Sequence, residues 1–141
     1  RSARDTIEVS SLTLENLDMD NLKGLVVDDS RTARRHITKL LMACGIDNCL
    51  QAENGKKAIE VLHQGPVDFI ITDYNMPEMN GQELAEYLSN SEFSYIPVLM
   101  VTSESENSRL SAVRQAGVCA LFDKTIDPAS LKSTLSAMLE N

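Results

Sequence analysis

No stretch of the 141 residues approaches the roughly 20 consecutive apolar residues of a membrane-spanning helix. A signal-peptide pattern is absent as well. Because the chain starts at Arg1 rather than Met, it reads as a trimmed or processed piece, so that second absence excludes little. Positive charge is scarce: 13 Lys and Arg stand against 21 Asp and Glu, for a formal charge of −8. Unaided binding to nucleic acid or to an anionic membrane needs the opposite balance. Cysteine is sparse too, and Cys44, Cys49 and Cys119 make an odd count without a C-x-x-C pair. They read as small buried thiols of a reducing compartment, not as a metal or disulfide framework. Internal repeats and low-complexity segments are also missing.

What is present fits one soluble globular domain with a sizeable core: 43% hydrophobic and 24% charged residues. Residues 1–21 are polar and rich in Ser and acid, and read as a tail or linker. From Leu22 to Asn141 strand and helix signals alternate. The predicted strands are Gly24–Val27, Asn48–Ala52, Asp68–Thr72, Pro97–Val101 and Cys119–Phe122. The predicted helices are Ser30–Cys44, Gly55–Gln64, Gln82–Ser89, Asn107–Gln115 and Pro128–Leu139, with Gly45 and Gly65-Pro66 as stops and Asp127 as a cap. The runs at Leu25–Val27, Phe69–Ile71 and Val98–Val101 are apolar without alternation, the pattern of strands covered on both faces. An α/β, doubly wound, three-layer fold with a five-stranded parallel sheet follows.

The residues after these strands are of one chemical kind. Strand one ends in Asp28-Asp29, strand three in Asp73, strand four in Thr102-Ser103 and strand five in Asp123-Lys124. Parallel strands bring these ends to one sheet edge, where open α/β sheets bind ligands. Carboxylates held close repel unless a cation joins them, and an oxygen-only donor set without His or Cys suits Mg²⁺. A carboxylate beside Mg²⁺ can attack a phosphoryl group, and Lys124 and the Thr102 hydroxyl are suited to the transferring oxygens. Taken singly each signal is weak: Asp28-Asp29 could equally cap a helix, and a lysine after a strand is usually solvated. The conjunction at four strand ends is the informative part.

VVDDSRTARR (Val26–Arg35), DYNMPEMNG (Asp73–Gly81), MVTSE (Met100–Glu104) and LFDK (Leu121–Lys124) stand in the order and spacing of a known family. Over residues 22–141 the chain resembles the receiver domain of two-component response regulators, with a likeness to single-domain regulators of the chemotaxis type. The resemblance implies a flavodoxin-like sheet of order 2-1-3-4-5 and a phosphoacceptor at Asp73, served by a sensor histidine kinase or histidine phosphotransfer protein. It implies Mg²⁺, replaceable by Mn²⁺, held by Asp28, Asp29, Asp73 and the backbone carbonyl of Asn75. Thr102 and Lys124 would contact the phosphoryl group, and Asn75, Ser103, Glu104 and Leu121 would modulate its lifetime or its readout. A cytoplasmic signalling protein acting on a downstream protein target, with neither nucleic-acid contact nor membrane insertion, completes the expectation. Two positions depart from the family pattern. Leu121 replaces the usual aromatic, for which the neighbouring Phe122 is a partial substitute, and Thr125 replaces the proline after the lysine.

His36, His63 and Arg34-Arg35 read as solvated or packed helix residues, Met76 and Met79 as packing for the loop, and Pro77 and Gly81 as its turn residues. Other functions fit less well. An aspartyl-phosphate phosphohydrolase typically has a second acid two residues after its nucleophile, where this chain has Asn75. A flavin carrier needs a hydroxyl- and glycine-rich phosphate loop after strand one, where Asp28-Asp29 would repel phosphate. A receiver-like module that is never phosphorylated is disfavoured by the intact acid set.

Overall fold

The computed structural model describes residues 21–102, 116–123 and 125–140. Five parallel strands form one sheet: β1 (Lys23–Val27), β2 (Asn48–Ala52), β3 (Phe69–Asp73), β4 (Val98–Thr102) and β5 (Val118–Asp123), in the order β2-β1-β3-β4-β5. Four helices lie among the described residues: α1 (Arg31–Ala43), α2 (Gly55–Gln64), α3 (Gly81–Ser89) and α4 (Pro128–Glu140). The helix expected at Asn107–Gln115 falls outside them.

Two separate apolar clusters cover the two faces of the sheet, as the unalternated strands require. On one face Leu25, Val27, Ile70 and Met100 pack with Ala58 and Leu62 of α2 and Leu84, Ala85 and Leu88 of α3. On the other, Val26, Phe69, Ile71, Leu99 and Val101 pack with Ile37 and Leu41 of α1 and Leu131 and Leu135 of α4. β1, β3 and β4 thus sit in the middle of three layers, and at the same edge β3 ends on Asp73, β4 on Thr102 and β1 is followed by Asp28.

Local chemistry sets the boundaries. Gly45, with φ of 95°, ends α1 in the left-handed conformation that glycine tolerates. The Asp127 carboxylate accepts from the Ser130 N–H at 2.7 Å and so caps α4, as its position before Pro128 predicts. β3 starts one residue later than the sequence suggests; Asp68, just before it, meets Lys23 of β1 twice, its N–H donating to Lys23 O at 2.7 Å and its carboxylate accepting the Lys23 N–H at 2.8 Å. β4 likewise begins after Pro97 and runs on through Thr102. One reading is corrected outright: Cys44 is buried and Cys49 half-buried, but Cys119 is exposed on the edge strand β5.

Candidate functional site

β1 and β3 lie side by side with Val27 opposite Thr72, and β4 follows with Val101 opposite Asp73. This register brings Asp28, just past β1, beside Asp73, the last residue of β3. The carboxylates of Asp28, Asp29 and Asp73 all lie within 4.8 Å of one another. Asp28 is 0% and Asp73 4% exposed, whereas Asp29 opens the group to solvent. Two unit charges 4.8 Å apart repel by roughly 3.5 kcal/mol at an effective dielectric of about 20. A buried pair of this kind is disfavoured without a cation or compensating donors. The ligand atoms are hard oxygens and among the described residues neither His nor Cys joins them, so the set suits a small divalent ion such as Mg²⁺ better than zinc.

The turn into α1 aims these acids. The Asp28 N–H donates to Ala52 O at 3.1 Å, and its Oδ1 accepts from the Ser30 N–H at 2.9 Å. Helix capping is performed by Ser30, whose Oγ accepts from the Ala33 N–H at 3.2 Å. The reading of Asp28-Asp29 as the cap is therefore overturned, and both acids are left for the cluster. Arg34 is not a solvated residue, as its helical position suggests. It is half-buried, and its guanidinium donates to the Asp28 carbonyl and, at 3.1 Å, to Gln51 Oε1. Arg35 is exposed.

The loop after Asp73 folds tightly against the strand it leaves. The Tyr74 N–H donates to Val101 O at 3.2 Å, and the Gly81 N–H donates back to Tyr74 O at 2.8 Å. A Cβ at position 81 would lie 2.4 Å from the Asp73 carbonyl oxygen, so glycine is needed for that approach. Asn80 and Glu83 then form a reciprocal capping box that starts α3. Met76 is buried, and the Met79 sulfur lies where a Cβ on Gly55 would stand, so the loop leans on the first turn of α2. Asn75 is exposed beside Asp73.

Thr102 closes β4 and is 6% exposed, with Asp123 opposite it on β5. Leu121 is half-buried against the α2/α3 face, while Phe122 packs against the α1/α4 face. Adjacent strand residues point to opposite faces, so Phe122 cannot stand in for the missing aromatic. After β5, Asp123 Oδ1 accepts from both the N–H and the hydroxyl of Thr125, each at 2.9 Å, which holds the Asp123 carboxyl below its ordinary range. Lys124, Ser103 and Glu104 lie outside the described residues. Sequence reasoning missed Arg34 and the Met79–Gly55 contact. The first lacked any pattern beyond helical spacing, and the second is a long-range meeting that spacing does not encode.

A profile of the response regulator receiver domain matches residues 25–136. The chain belongs to the response regulator receiver family. Among its relatives, the chemotaxis protein CheY-3 of Vibrio cholerae is 37% identical over 121 residues, covering 85% of this chain and 93% of that protein. The chemotaxis protein CheY of Pseudomonas aeruginosa is 38% identical over 120 residues, covering 84% of this chain and 97% of that protein. Among solved structures, the V. cholerae chemotaxis protein CheY4 superposes with a TM-score of 0.74 at 29% identity, covering 82% of this chain and 97% of that one. This receiver is thus a domain of two-component signalling, chemotaxis-regulator-like in sequence, and its acid cluster stands at the carboxyl edge of the family's sheet. Among the described residues no helix is long and apolar enough to cross a membrane.

Proposed function

We propose that residues 22–141 of this receiver form a phosphoacceptor switch and that residues 1–21 serve as its tail. The observation that carries the proposal is the meeting of three carboxylates within 4.8 Å, with Asp73 nearly buried among them. Asp28, Asp29, Asp73 and the Asn75 carbonyl would hold Mg²⁺, or Mn²⁺ in its place. That ion supplies positive charge against the transferring phosphoryl oxygens. An Asp73 carboxylate oxygen attacks the phosphorus of a phosphohistidine on a sensor kinase or phosphotransfer protein. The P–N bond breaks, its electron pair stays on the imidazole, and an aspartyl phosphate results. Thr102 donates its hydroxyl hydrogen to a phosphoryl oxygen, and Lys124 pairs with another.

Closure of these two groups shifts the population of the surface formed by β5, α4 and the segment after β4, which a downstream protein reads. Leu121 sits in that path without a ring, so this chain transmits the closure through an aliphatic contact. Water returns the aspartate by hydrolysis at a rate tuned by Asn75, Ser103 and Glu104. Asn75 in place of a second acid favours the switch over a phosphohydrolase. The setting is the cytoplasm, where the histidine donors of such switches act. Intact-mass analysis after incubation with acetyl phosphate tests the reading. A Mg²⁺-dependent gain of one phosphoryl group, absent from Asp73→Asn, supports it; equal uptake by the variant refutes it.

A further inference from the structure

We infer that Arg34 is a positioning residue for the acid cluster, acting on the cation site through the peptide that joins Asp28 to Asp29. The inference rests on the reading of that cluster as the cation and phosphoryl site. The peptide between Asp28 and Asp29 links a buried carboxylate to an exposed one, so any rotation of it moves both. Asp28 itself is held from different sides by Asp28 N–H to Ala52 O at 3.1 Å, Ser30 N–H to Asp28 Oδ1 at 2.9 Å, and the Arg34 guanidinium to Asp28 O, the last of which falls on the Asp28–Asp29 peptide. Only the last comes from a side chain that is itself held elsewhere. Arg34 Nε donates at 3.1 Å to Gln51 Oε1, next to the Ala52 whose carbonyl receives the Asp28 N–H. One planar fork therefore ties the first turns of α1 to the ends of both β1 and β2.

Packing does not enforce this pose. Arg34 and Gln51 border an open polar cleft of about 370 Å³, shared with Glu53, Lys57 and Glu60, into which an untethered guanidinium could swing. The Gln51 bond is what selects the inward pose. Lysine cannot replace the arrangement, because its point charge lacks two donors in a fixed fork. Partners of this kind, one bond behind a metal ligand, typically change metal affinity about 10- to 100-fold when removed.

Charge and placement predict opposite signs. If Arg34 acted only as a nearby positive charge, removing it would tighten cation binding, and Arg34→Lys would leave it unchanged. As a positioning residue, its loss weakens binding in both variants. Calorimetric titration of the whole chain with Mg²⁺ separates the two, using Arg34→Ala, Arg34→Lys, Gln51→Ala and the exposed control Arg35→Ala. Urea unfolding in EDTA reports metal-free stability in parallel. The expected result is a Kd raised about tenfold in both Arg34 variants, raised less in Gln51→Ala and unchanged in Arg35→Ala, with affinities that do not track metal-free stability. Wild-type affinity in Arg34→Lys, or tighter binding in Arg34→Ala, overturns the inference. Should Arg34→Ala fail to fold, Arg34→Lys and Gln51→Ala decide alone. Absence of Mg²⁺ binding by the wild type overturns the reading of the site itself, and the inference with it.

Discussion

Replacing Gly81 by alanine sets two physical effects against each other. As the first residue of α3, an alanine gains at most about 1 kcal/mol over glycine from helix propensity. Its methyl group, however, would stand 2.4 Å from the Asp73 carbonyl oxygen, 3.0 Å from Met100 Cε and 3.1 Å from Tyr74 Cα. Met100 can rotate away, but the other two contacts are backbone, at the turn that carries Asp73. Overpacking of this kind costs about 1–3 kcal/mol, so the balance is a net loss of about 1 kcal/mol. In a domain of this size that lowers Tm by about 4 °C. Urea and thermal unfolding measure the loss, and the initial rate of labelling by acetyl phosphate measures the displacement of Asp73, which should slow it severalfold. Gly65→Ala is the matched control, because a Cβ there meets nothing within 4 Å and φ is 176°. That substitution should be neutral or stabilise by about 0.4–1 kcal/mol. A Gly81→Ala protein that is more stable than wild type and is labelled at the wild-type rate would refute the close-approach reasoning.

Thiol reagents at pH 8 should modify the exposed Cys119 first and leave Cys49 nearly inert, since burial and then the nearby Asp47 charge push its thiol up to about 11. Burial raises the Cys44 thiol as well, and peptide mapping after limited labelling would show whether either modifies as fast as Cys119. Because the folded pKa of Cys49 is raised, its contribution to stability is complete below the ordinary value of 9.0 and is lost as pH rises toward about 11. Asp123 behaves in the opposite sense. The Thr125 N–H and then its hydroxyl lower its pKa from 3.8, so the stability it contributes is present above that value and is lost as pH falls through the depressed one. Carboxyl NMR titration should find Asp123 below 3.8, and Thr125→Val should move it part of the way back, because the N–H bond remains. An unmoved titration in that variant would show that the hydroxyl contributes nothing.

The parallel sheet was readable because its fully buried middle strands leave unbroken apolar runs that give way abruptly to Asp28, Asp73 and Thr102, whereas the strand order came from the family resemblance. Helix ends carried equally local signals, among them Gly45 after the first helix and Asp127-Pro128 at the start of the last. Less was readable where a side chain has two plausible neighbours. Arg34 could have faced water on periodicity alone, and only the lean of α1 over β1 and β2 turns it onto Asp28. Phe122 adjoins Leu121 in sequence, yet the two-residue period of β5 sends its ring to the opposite face. Asp28-Asp29 matched both a cap and a ligand pair until Ser30 took the capping bond. For Arg34 the deciding contact with Gln51 lies across the fold, where residue spacing carries little information.

The central claim is that Asp73 carries the phosphoryl group, and borohydride trapping followed by peptide mapping tests it most directly. Reduction converts an aspartyl phosphate to homoserine, which marks the modified position. After incubation with acetyl phosphate and Mg²⁺, homoserine should be found at position 73 and should vanish when the metal is chelated. Homoserine at another acid, or a phosphoryl mass gain with no homoserine, would contradict the account.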